Sequence, residues 1–218
     1  MRGFAIEPAV LSAADLAGLE GSLGRIATRS RAGARHLMSH PAVSSLAQDT
    51  RLVRLAALAL GMSAIPYRAT LFDKSPSSNW LVPWHQDTAL PLKSQRHVAG
   101  WGPWSKKAGV LYAHAPASAL ERVVALRIHL DDSTPDNGPL RVVPGTHERG
   151  VLTDGQIQEL AARLPAEACC IGRGGIVVMR PLLIHASSKA TTAEPRRVLH
   201  IEYAASLEIG PGLQLAVA

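Results

Sequence analysis

The spacing of hydrophobic positions changes near Gly61 from a helical period to a strand period. Residues Ser12 to Leu23 carry apolar side chains at helical spacing behind Ser12, a residue type that caps helix N-termini. A longer helical pattern ends at Gly61, a common helix stop, and its apolar positions are Val43, Leu46, Val53, Ala57 and Leu60. Residues 1–62 are therefore predicted to form a mainly helical flank.

After Gly61, short runs of branched and aromatic residues are separated by clusters of Pro, Gly, Asn and Asp. Such runs predict the strands of a β sandwich or barrel, and they are Tyr67–Phe72, Val123–Leu130, Leu140–Val143, Gly175–Ile184 and Arg197–Ala204. Residues 131–139 are predicted to be a turn, and Gln156–Leu164 a helix inserted between strands. We expect a single domain over residues 1–218, with a β core over residues 63–210.

Residues 76–118 follow neither period and hold all four tryptophans of the chain. A long irregular segment of this kind in a compact domain is often a functional loop or lid. Alternatively, the tryptophans only fasten the segment to the barrel. The sequence favours neither interpretation, and both can hold together.

Composition narrows the class of protein. The chain has 218 residues, of which 47% are hydrophobic, enough for one domain with a sizeable core. No apolar run approaches the ~18 residues that a membrane helix needs, and the first residues lack the apolar stretch of a secretory signal. The two cysteines, Cys169 and Cys170, are adjacent and make a poor disulfide framework. We expect a cytoplasmic enzyme.

The net charge of +6 raises the question of an acidic partner. Basic residues are scattered, and the one loose cluster consists of Arg25, Arg29, Arg31 and Arg35. No nucleic-acid-binding motif accompanies the cluster, so a solvated basic surface is the favoured interpretation. We expect neither a nucleic acid nor a membrane as partner, whereas a small anionic ligand would need only one or two of these charges.

Three His-x-acid pairs are candidate metal ligands, because residues i and i+2 of a strand point to the same side. They are His85/Asp87, His129/Asp131 and His200/Glu202. Fewer than one such pair is expected by chance from nine histidines and 17 acidic residues in 218, and spacing alone does not choose among them.

Context separates the three pairs further. His85 adjoins the tryptophan-rich segment, where a pocket mouth is expected. His129 and His200 lie in largely apolar strands, where a histidine is usually packed and hydrogen-bonded. His185 ends an apolar run and is expected at the exposed end of a strand. Two histidines and a carboxylate form the ligand set that leaves positions open on non-haem Fe(II).

Five segments together resemble the phytanoyl-CoA dioxygenase family of Fe(II)- and 2-oxoglutarate-dependent oxygenases. They are Trp84-His85-Gln86-Asp87, the run from Asn137 to His147, Gly174-Gly175 before a strand, His185-Ala186-Ser187, and Arg196. Their order and separation match that family over roughly residues 65–205. The resemblance implies a mainly β double-stranded β-helix (a jelly-roll, cupin-like core) with flanking N-terminal helices.

The resemblance also implies the roles of individual residues. His85, Asp87 and His185 would be the iron ligands, Arg196 would pair with the distal carboxylate of 2-oxoglutarate, and the Ser187 hydroxyl would add a hydrogen bond. His147 is expected to be structural.

Arg197, Arg127 and Lys74 are further cationic candidates for binding the co-substrate. Arg197 competes with Arg196, but adjacent strand residues face opposite sides, so only one of the two can point into the barrel. Arg127 and His129 would face the cavity if Leu126, Ile128 and Leu130 pack outward beneath the helices. Arg127 would then pair with 2-oxoglutarate, with an anionic substrate or, slightly favoured, with an internal acid. Lys74 and Asn79 are weaker candidates for the co-substrate site.

The implied activity is hydroxylation of a C–H bond of a small organic molecule, with O2 and 2-oxoglutarate consumed and succinate and CO2 formed. Asp87 favours hydroxylation over halogenation, because related halogenating enzymes lack that carboxylate. One alternative is a non-catalytic metal-binding jelly roll that senses or binds a small molecule. Another is a cupin-type enzyme that does not use 2-oxoglutarate. The tryptophans suggest an apolar or aromatic substrate, and the basic residues permit an anionic group on it.

Overall fold

Strands dominate the architecture after residue 64. The computed structural model of the chain describes residues 2–24, 33–75 and 78–218. Its helices and strands are β1 (Phe4–Glu7), α1 (Ala13–Leu23), β2 (Ala34–Arg35), α2 (Pro41–Ala47), α3 (Thr50–Leu60), β3 (Ile65–Lys74), β4 (Val82–His85), β5 (Ala89–Leu92), β6 (Trp104–Lys107), β7 (Val110–His114), α4 (Ala117–Leu120), β8 (Val123–His129), β9 (Leu140–Val142), α5 (Asp154–Arg163), β10 (Glu167–Cys169), β11 (Ile176–Met179), β12 (His185–Ser187), β13 (Arg196–Ala204), β14 (Glu208–Gly210) and β15 (Leu213–Gln214).

Two antiparallel sheets form the core. The larger sheet has six strands in the order β1-β11-β8-β13-β3-β2, and the smaller has four in the order β10-β9-β12-β4. The long strand β13 pairs with β3 on one side and with β8 on the other. Strands that are neighbours in a sheet are therefore far apart in sequence, as in a jelly roll. The predicted fold class, a mainly β double-stranded β-helix with N-terminal helices, is confirmed.

The N-terminal helices cover the outer face of the larger sheet. Leu126 and Ile128 of β8 and Leu199 and Ile201 of β13 are fully buried in one cluster with apolar residues of α1 to α3. Full burial of such a side chain contributes about 1.5–3 kcal/mol. Since strand residues alternate between faces, this packing turns Arg127, His129 and Arg196 toward the inside of the barrel.

Helix ends follow the sequence closely, but the second predicted helix is divided. Ser12 caps α1 through a capping box with Asp15, and Gly61 ends α3 in the left-handed conformation (φ 73°), as predicted. The pattern from Val43 to Leu60 is interrupted at Asp49, whose side chain accepts a hydrogen bond from the backbone N–H of Arg51 and starts a new helix. Apolar spacing persisted across this break, so periodicity alone predicted one helix.

The tryptophan-rich segment is not an irregular loop. It contains β4 to β7, and three of these strands form a separate sheet in the order β5-β7-β6. The strands have four or five residues, and Pro83 and Pro91 lie within two of them, which concealed the period from the sequence. Trp101 and Trp104 pack on the apolar cluster beneath this sheet and do fasten the segment to the barrel.

The predicted strand Gly175–Ile184 is also wrong in its length. Strand β11 ends at Met179, residues 180–184 turn, and His185 begins the separate strand β12. The turn is lined with buried apolar residues, Leu182, Leu183 and Ile184, so its composition imitates a strand. His185 consequently lies inside the barrel, with a relative exposure of 4%, and not at an exposed strand end.

Two findings concern the described residues only. None of their helices combines the length and apolarity required to cross a bilayer. Arg25, Arg29 and Arg31 of the basic cluster lie outside the described residues.

Candidate metal centre and its two cavities

Two histidines and one aspartate converge where the smaller sheet joins β4 to β12. His85 and His185 are directly paired across these antiparallel strands, with ring centroids 4.1 Å apart. Asp87 follows β4, and its carboxylate oxygens lie 3.7 Å from His85 Nε2 and 3.4 Å from His185 Nε2. The three ligand atoms lie within 4.8 Å of one another, the only such group of His, Cys, Asp and Glu side chains in the described part of the chain.

The backbone fixes both imidazoles in the orientation that a metal requires. His85 Nδ1–H donates to the carbonyl of Pro83, and His185 Nδ1–H donates to the carbonyl of Leu183, each at 2.8 Å. In both cases the acceptor lies two residues earlier in the chain. A proton held at Nδ1 leaves the Nε2 lone pair free, and in both rings Nε2 is the nitrogen directed at Asp87.

The segment that carries Asp87 is anchored by Gln86. The Gln86 amide donates to the carbonyls of Gly150 and Leu182, at 2.9 and 2.7 Å, and its oxygen accepts from the N–H of Leu152. The Asp87 N–H donates to the carbonyl of Pro181 at 2.9 Å. These bonds fix the third ligand relative to β12, a role that the sequence did not assign to Gln86.

Electrostatics keep the three groups ready to bind a cation. Burial, and then the adjacent His185, lower the pKa of His85, which favours the neutral ring. Burial opposes ionisation of Asp87, but the two neighbouring histidines outweigh it and hold its pKa well below the usual range. One carboxylate beside two imidazoles is the ligand set typical of non-haem Fe(II) sites.

The competing His-x-acid pairs are used elsewhere. His129 is fully buried with neither nitrogen bonded in the described structure, and burial lowers its pKa to about 3; the predicted hydrogen bond to His129 is therefore absent. Asp131 is bound by Arg197. His200 is packed and hydrogen-bonded as predicted, with Nε2 3.2 Å from Glu202.

A cavity of about 100 Å³ lies on the barrel side of the three ligands, and we call it the inner cavity. Its charged and polar lining comprises Lys74, Arg127, Ser187 and Arg196 besides the three ligands, and its apolar lining comprises Phe72, Trp80, Val82, Leu140 and Ala186. Lys74, Arg127 and Arg196 are all buried, at 1%, 7% and 3% exposure.

Hydrogen bonds tie two of these cations, Lys74 and Arg196, to Ser187. Lys74 Nζ donates to Ser187 Oγ at 2.9 Å, and Arg196 Nη2 donates to the same oxygen at 3.2 Å. Arg196 Nε donates to the carbonyl of Asn137 at 3.3 Å, while its Nη1 is buried without a partner in the described structure. One fixed donor of Arg196 is thus left for a ligand.

Strand alternation separates Arg196 from Arg197 as predicted. Arg196 faces the inner cavity, whereas Arg197 lies on the outer face of β13 and pairs with Asp131 and Glu20, at 2.6 and 2.7 Å. Arg197 therefore has two acids of its own, and Arg196 forms no ion pair in the described part of the chain.

Arg127 also faces the interior, but the internal acid favoured from the sequence is not its partner. Its Nη1 lies 3.3 Å from His200 Nδ1, its guanidinium lies over the Phe72 ring, and its Nε is unbonded in the described structure. The other weak candidate, Asn79, exchanges hydrogen bonds with the backbone of Ala190 and does not line the cavity.

Three buried cations around one small cavity repel one another. Burial, then Arg196 and Arg127, lower the pKa of Lys74 to about 8, and burial, then Arg127, lower that of Arg196. Uncompensated buried charges of one sign are costly unless a counter-ion joins them. The donor set therefore fits a small dianion that also reaches the metal position.

A second, larger cavity of about 330 Å³ is also lined by His85 and Asp87, and we call it the outer chamber. Its remaining lining comprises Arg35, Arg68, Thr70, Phe72, Gln86, Thr88, Ala89, Lys107, Tyr112, His114 and His200. Sequence reasoning did not identify this chamber. Of these residues, only Arg68 could have been predicted to face the interior from the sequence, because it shares one face of β3 with Thr70, Phe72 and Lys74.

Comparison with known proteins agrees with this geometry. The sequence profile of the phytanoyl-CoA dioxygenase (PhyH) family matches residues 2–198. An L-proline trans-4-hydroxylase of Streptomyces griseoviridis is 31% identical over 186 residues, which are 70% of this chain and 61% of that enzyme. The chain thus spans about three fifths of the length of this relative.

Solved structures share the fold over nearly the whole chain. AviO1 from Streptomyces viridochromogenes Tue57 superposes with a TM-score of 0.69 at 25% identity, covering 99% of this chain and 93% of that one. EctD from S. alaskensis, solved with 2-oxoglutarate and 5-hydroxyectoine, gives a TM-score of 0.70 at 22% identity and covers 95% of this chain and 73% of that one.

Proposed function

The chain belongs to the phytanoyl-CoA dioxygenase family, and from that premise we propose that it is an Fe(II)- and 2-oxoglutarate-dependent oxygenase that hydroxylates a C–H bond of a small organic molecule. One observation carries the proposal: the His85, Asp87 and His185 cluster lines a cavity with three buried cations and, among the described residues, no acid besides Asp87. A metal-binding protein without a dianionic co-substrate has no use for that charge.

In this proposal His85 Nε2, His185 Nε2 and one Asp87 oxygen hold the iron. Three protein ligands leave the remaining positions for 2-oxoglutarate and O2. The bound iron and 2-oxoglutarate supply the oxidising chemistry, in which 2-oxoglutarate is converted to succinate and CO2. The protein contributes the orientation of the rings, through the Pro83 and Leu183 carbonyls.

The inner cavity would receive 2-oxoglutarate. Arg196, with its unbonded Nη1, would bind the distal carboxylate, and Ser187 and Lys74 would flank it. Arg127 would face the same ligand and compensate its second charge. A guanidinium can bind a carboxylate through two parallel hydrogen bonds, which also fixes the direction of the ligand.

The outer chamber would receive the substrate, because it is the other cavity that reaches His85 and Asp87. Its size suits a molecule comparable with the amino acid that the S. griseoviridis hydroxylase is named for. Nothing in the chamber requires a nucleic acid or a membrane. We also propose a cytoplasmic location, supported by the free thiols of Cys169 and Cys170.

A substrate screen that follows succinate tests the activity. The protein would be incubated with Fe(II), 2-oxoglutarate and O2 in the presence of small metabolites, L-proline among them, and succinate would be measured with and without each compound. We expect at least one compound to stimulate succinate formation and to gain one oxygen atom, with no stimulation in Asp87→Ala. Absence of 2-oxoglutarate-dependent succinate in every case would overturn the proposal.

A further inference from the structure

The outer chamber carries more positive charge than its own acids neutralise. Arg68 is compensated, since it forms a buried ion pair with Glu202, and Glu202 also lies 3.2 Å from His200 Nε2. Arg35 and Lys107 are different, because neither forms an ion pair with any described residue. Lys107 Nζ lies over the Tyr112 ring, 5.1 Å from its centroid. The guanidinium of Arg35 lies over no aromatic ring among the described residues.

These two cations reach the chamber from separate parts of the chain. Arg35 ends β2, at the edge of the larger sheet, and Lys107 ends β6, in the small sheet of the tryptophan-rich segment. Both line the chamber together with Arg68. Burial, then Arg35 and Arg68, lower the pKa of Lys107, whereas Asp87 raises it. Like charges brought together from three strands create a positive potential that attracts an anion.

The same chamber contains these two cations and two of the metal ligands. Arg35 and Lys107 are exposed toward solvent, whereas His85 and Asp87 form the deeper wall. Phe72, Ala89 and Tyr112 supply apolar surface in the same lining. A molecule with an anionic end and a small aliphatic or cyclic body fits a chamber that combines charged, apolar and metal-binding surfaces.

We propose that the substrate is a small organic acid whose oxyanionic group, a carboxylate or a phosphate, is bound by Arg35 and Lys107 while its body extends toward the metal position. The inference rests on the proposed oxygenase function. Arg68, held by Glu202, lines the same chamber but is already neutralised. Arg35 and Lys107 are then residues that determine specificity by charge, and they take no part in binding 2-oxoglutarate.

Matched ligands and matched variants test the proposal. The ligands are carboxylic acids paired with their neutral amides, such as N-acetyl-L-proline with its primary amide, and small phosphate monoesters paired with the parent alcohols. Binding to the anaerobic protein with Fe(II) and 2-oxoglutarate is measured by calorimetry, and stimulation of succinate formation is measured under O2. The variants are Arg35→Gln, Lys107→Gln and the control Lys106→Gln, whose side chain leaves the same strand on the opposite face.

We expect at least one acid or phosphate to bind about 10-fold or more tightly than its neutral partner. Arg35→Gln and Lys107→Gln should each weaken that ligand by about 10-fold and reduce its preference over the neutral form, and Lys106→Gln should leave both unchanged. The affinity for 2-oxoglutarate should be the same in all four proteins. Preference for the acid or for the phosphate monoester identifies the kind of oxyanion.

Two results would overturn the proposal. One is a substrate that carries no carboxylate or phosphate group and binds equally well to the wild type and to both variants. The other is failure of every acid and phosphate to bind a protein that binds Fe(II) and 2-oxoglutarate normally. Both leave the oxygenase function standing, whereas loss of 2-oxoglutarate binding in the wild-type protein would remove that function itself.

Discussion

The inner cavity and the outer chamber share His85 and Asp87 but are built differently. Every cation of the inner cavity lies on one of the three long core strands, β3, β8 and β13, and is buried. The outer chamber takes Arg68 from β3, but it takes Arg35 and Lys107 from a short edge strand and an added sheet, where they are exposed. In the proposed function, the core strands would thus supply the part of the chemistry that does not vary with substrate, and the peripheral segments would supply the part that does.

The largest expected effect concerns the three metal ligands, of which His85 and Asp87 line both cavities and His185 lines the inner cavity. His85→Ala, Asp87→Ala and His185→Ala should each abolish stoichiometric Fe(II) binding, since each removes one of only three protein ligands. The fold should persist, because the apolar faces of the sheets carry its stability. Metal analysis after anaerobic loading, with circular dichroism for the fold, measures both. The exposed His97→Ala is the matched control, and a ligand variant that kept one iron per chain would refute the assignment.

The next-largest effect concerns ligand binding in the inner cavity alone. Arg196→Ala should weaken 2-oxoglutarate binding by about 2–5 kcal/mol, because the ligand carboxylate is left buried without its partner. That corresponds to roughly 30- to several-thousand-fold in affinity. Anaerobic titration of the Fe(II) protein gives the value, and iron binding itself should be retained. Arg197→Ala, next to it on the outer face, should change the affinity little; equal losses would mean that both arginines reach the cavity.

The pH dependence of 2-oxoglutarate binding sharpens the contrast further. The pKa of Lys74 is lowered to about 8 in the free protein, and an anion beside it would raise that pKa again. Binding therefore takes up a proton above pH 8, so affinity should fall as pH rises from 8, by at most about 10-fold per unit. Titrations between pH 7 and 9.5 test this. Lys74→Met should bind more weakly at pH 7 and lose the slope; an unchanged slope would exclude Lys74 as its source.

The smallest effect lies on the outside of β13. Arg197 is 35% exposed and pairs with Asp131 and Glu20, so its solvent-screened ion pairs should contribute less than about 1 kcal/mol to the free energy of unfolding. Urea unfolding of Arg197→Ala measures that contribution. A loss of several kcal/mol would show that the outer ion pairs hold β13 in register, and the comparison with Arg196 would then need correction for stability.

The sequence predicts the lining of the inner cavity better than that of the outer chamber, because the inner cavity is built from long core strands and the outer chamber partly from short peripheral strands. The family resemblance marked the metal ligands and favoured Arg196, because strand period alone allows only one of Arg196 and Arg197 to face inward. The two-residue period of β8 brought Arg127 to the same side, whereas Lys74 was only a weaker candidate. Arg35 and Lys107 could not be placed, since their approach depends on how two short strands pair, and apolar composition neither revealed β6 nor distinguished the turn at residues 180–184 from a strand.

The most direct test of the central claim is anaerobic addition of 2-oxoglutarate to the Fe(II)-loaded protein, followed by visible absorbance. Chelation of Fe(II) by the keto and carboxylate oxygens should produce a charge-transfer band that saturates at one 2-oxoglutarate per chain. The same titration should give the full band in His97→Ala and none in Asp87→Ala. A wild-type protein that binds Fe(II) stoichiometrically but develops no band at saturating 2-oxoglutarate would contradict the account.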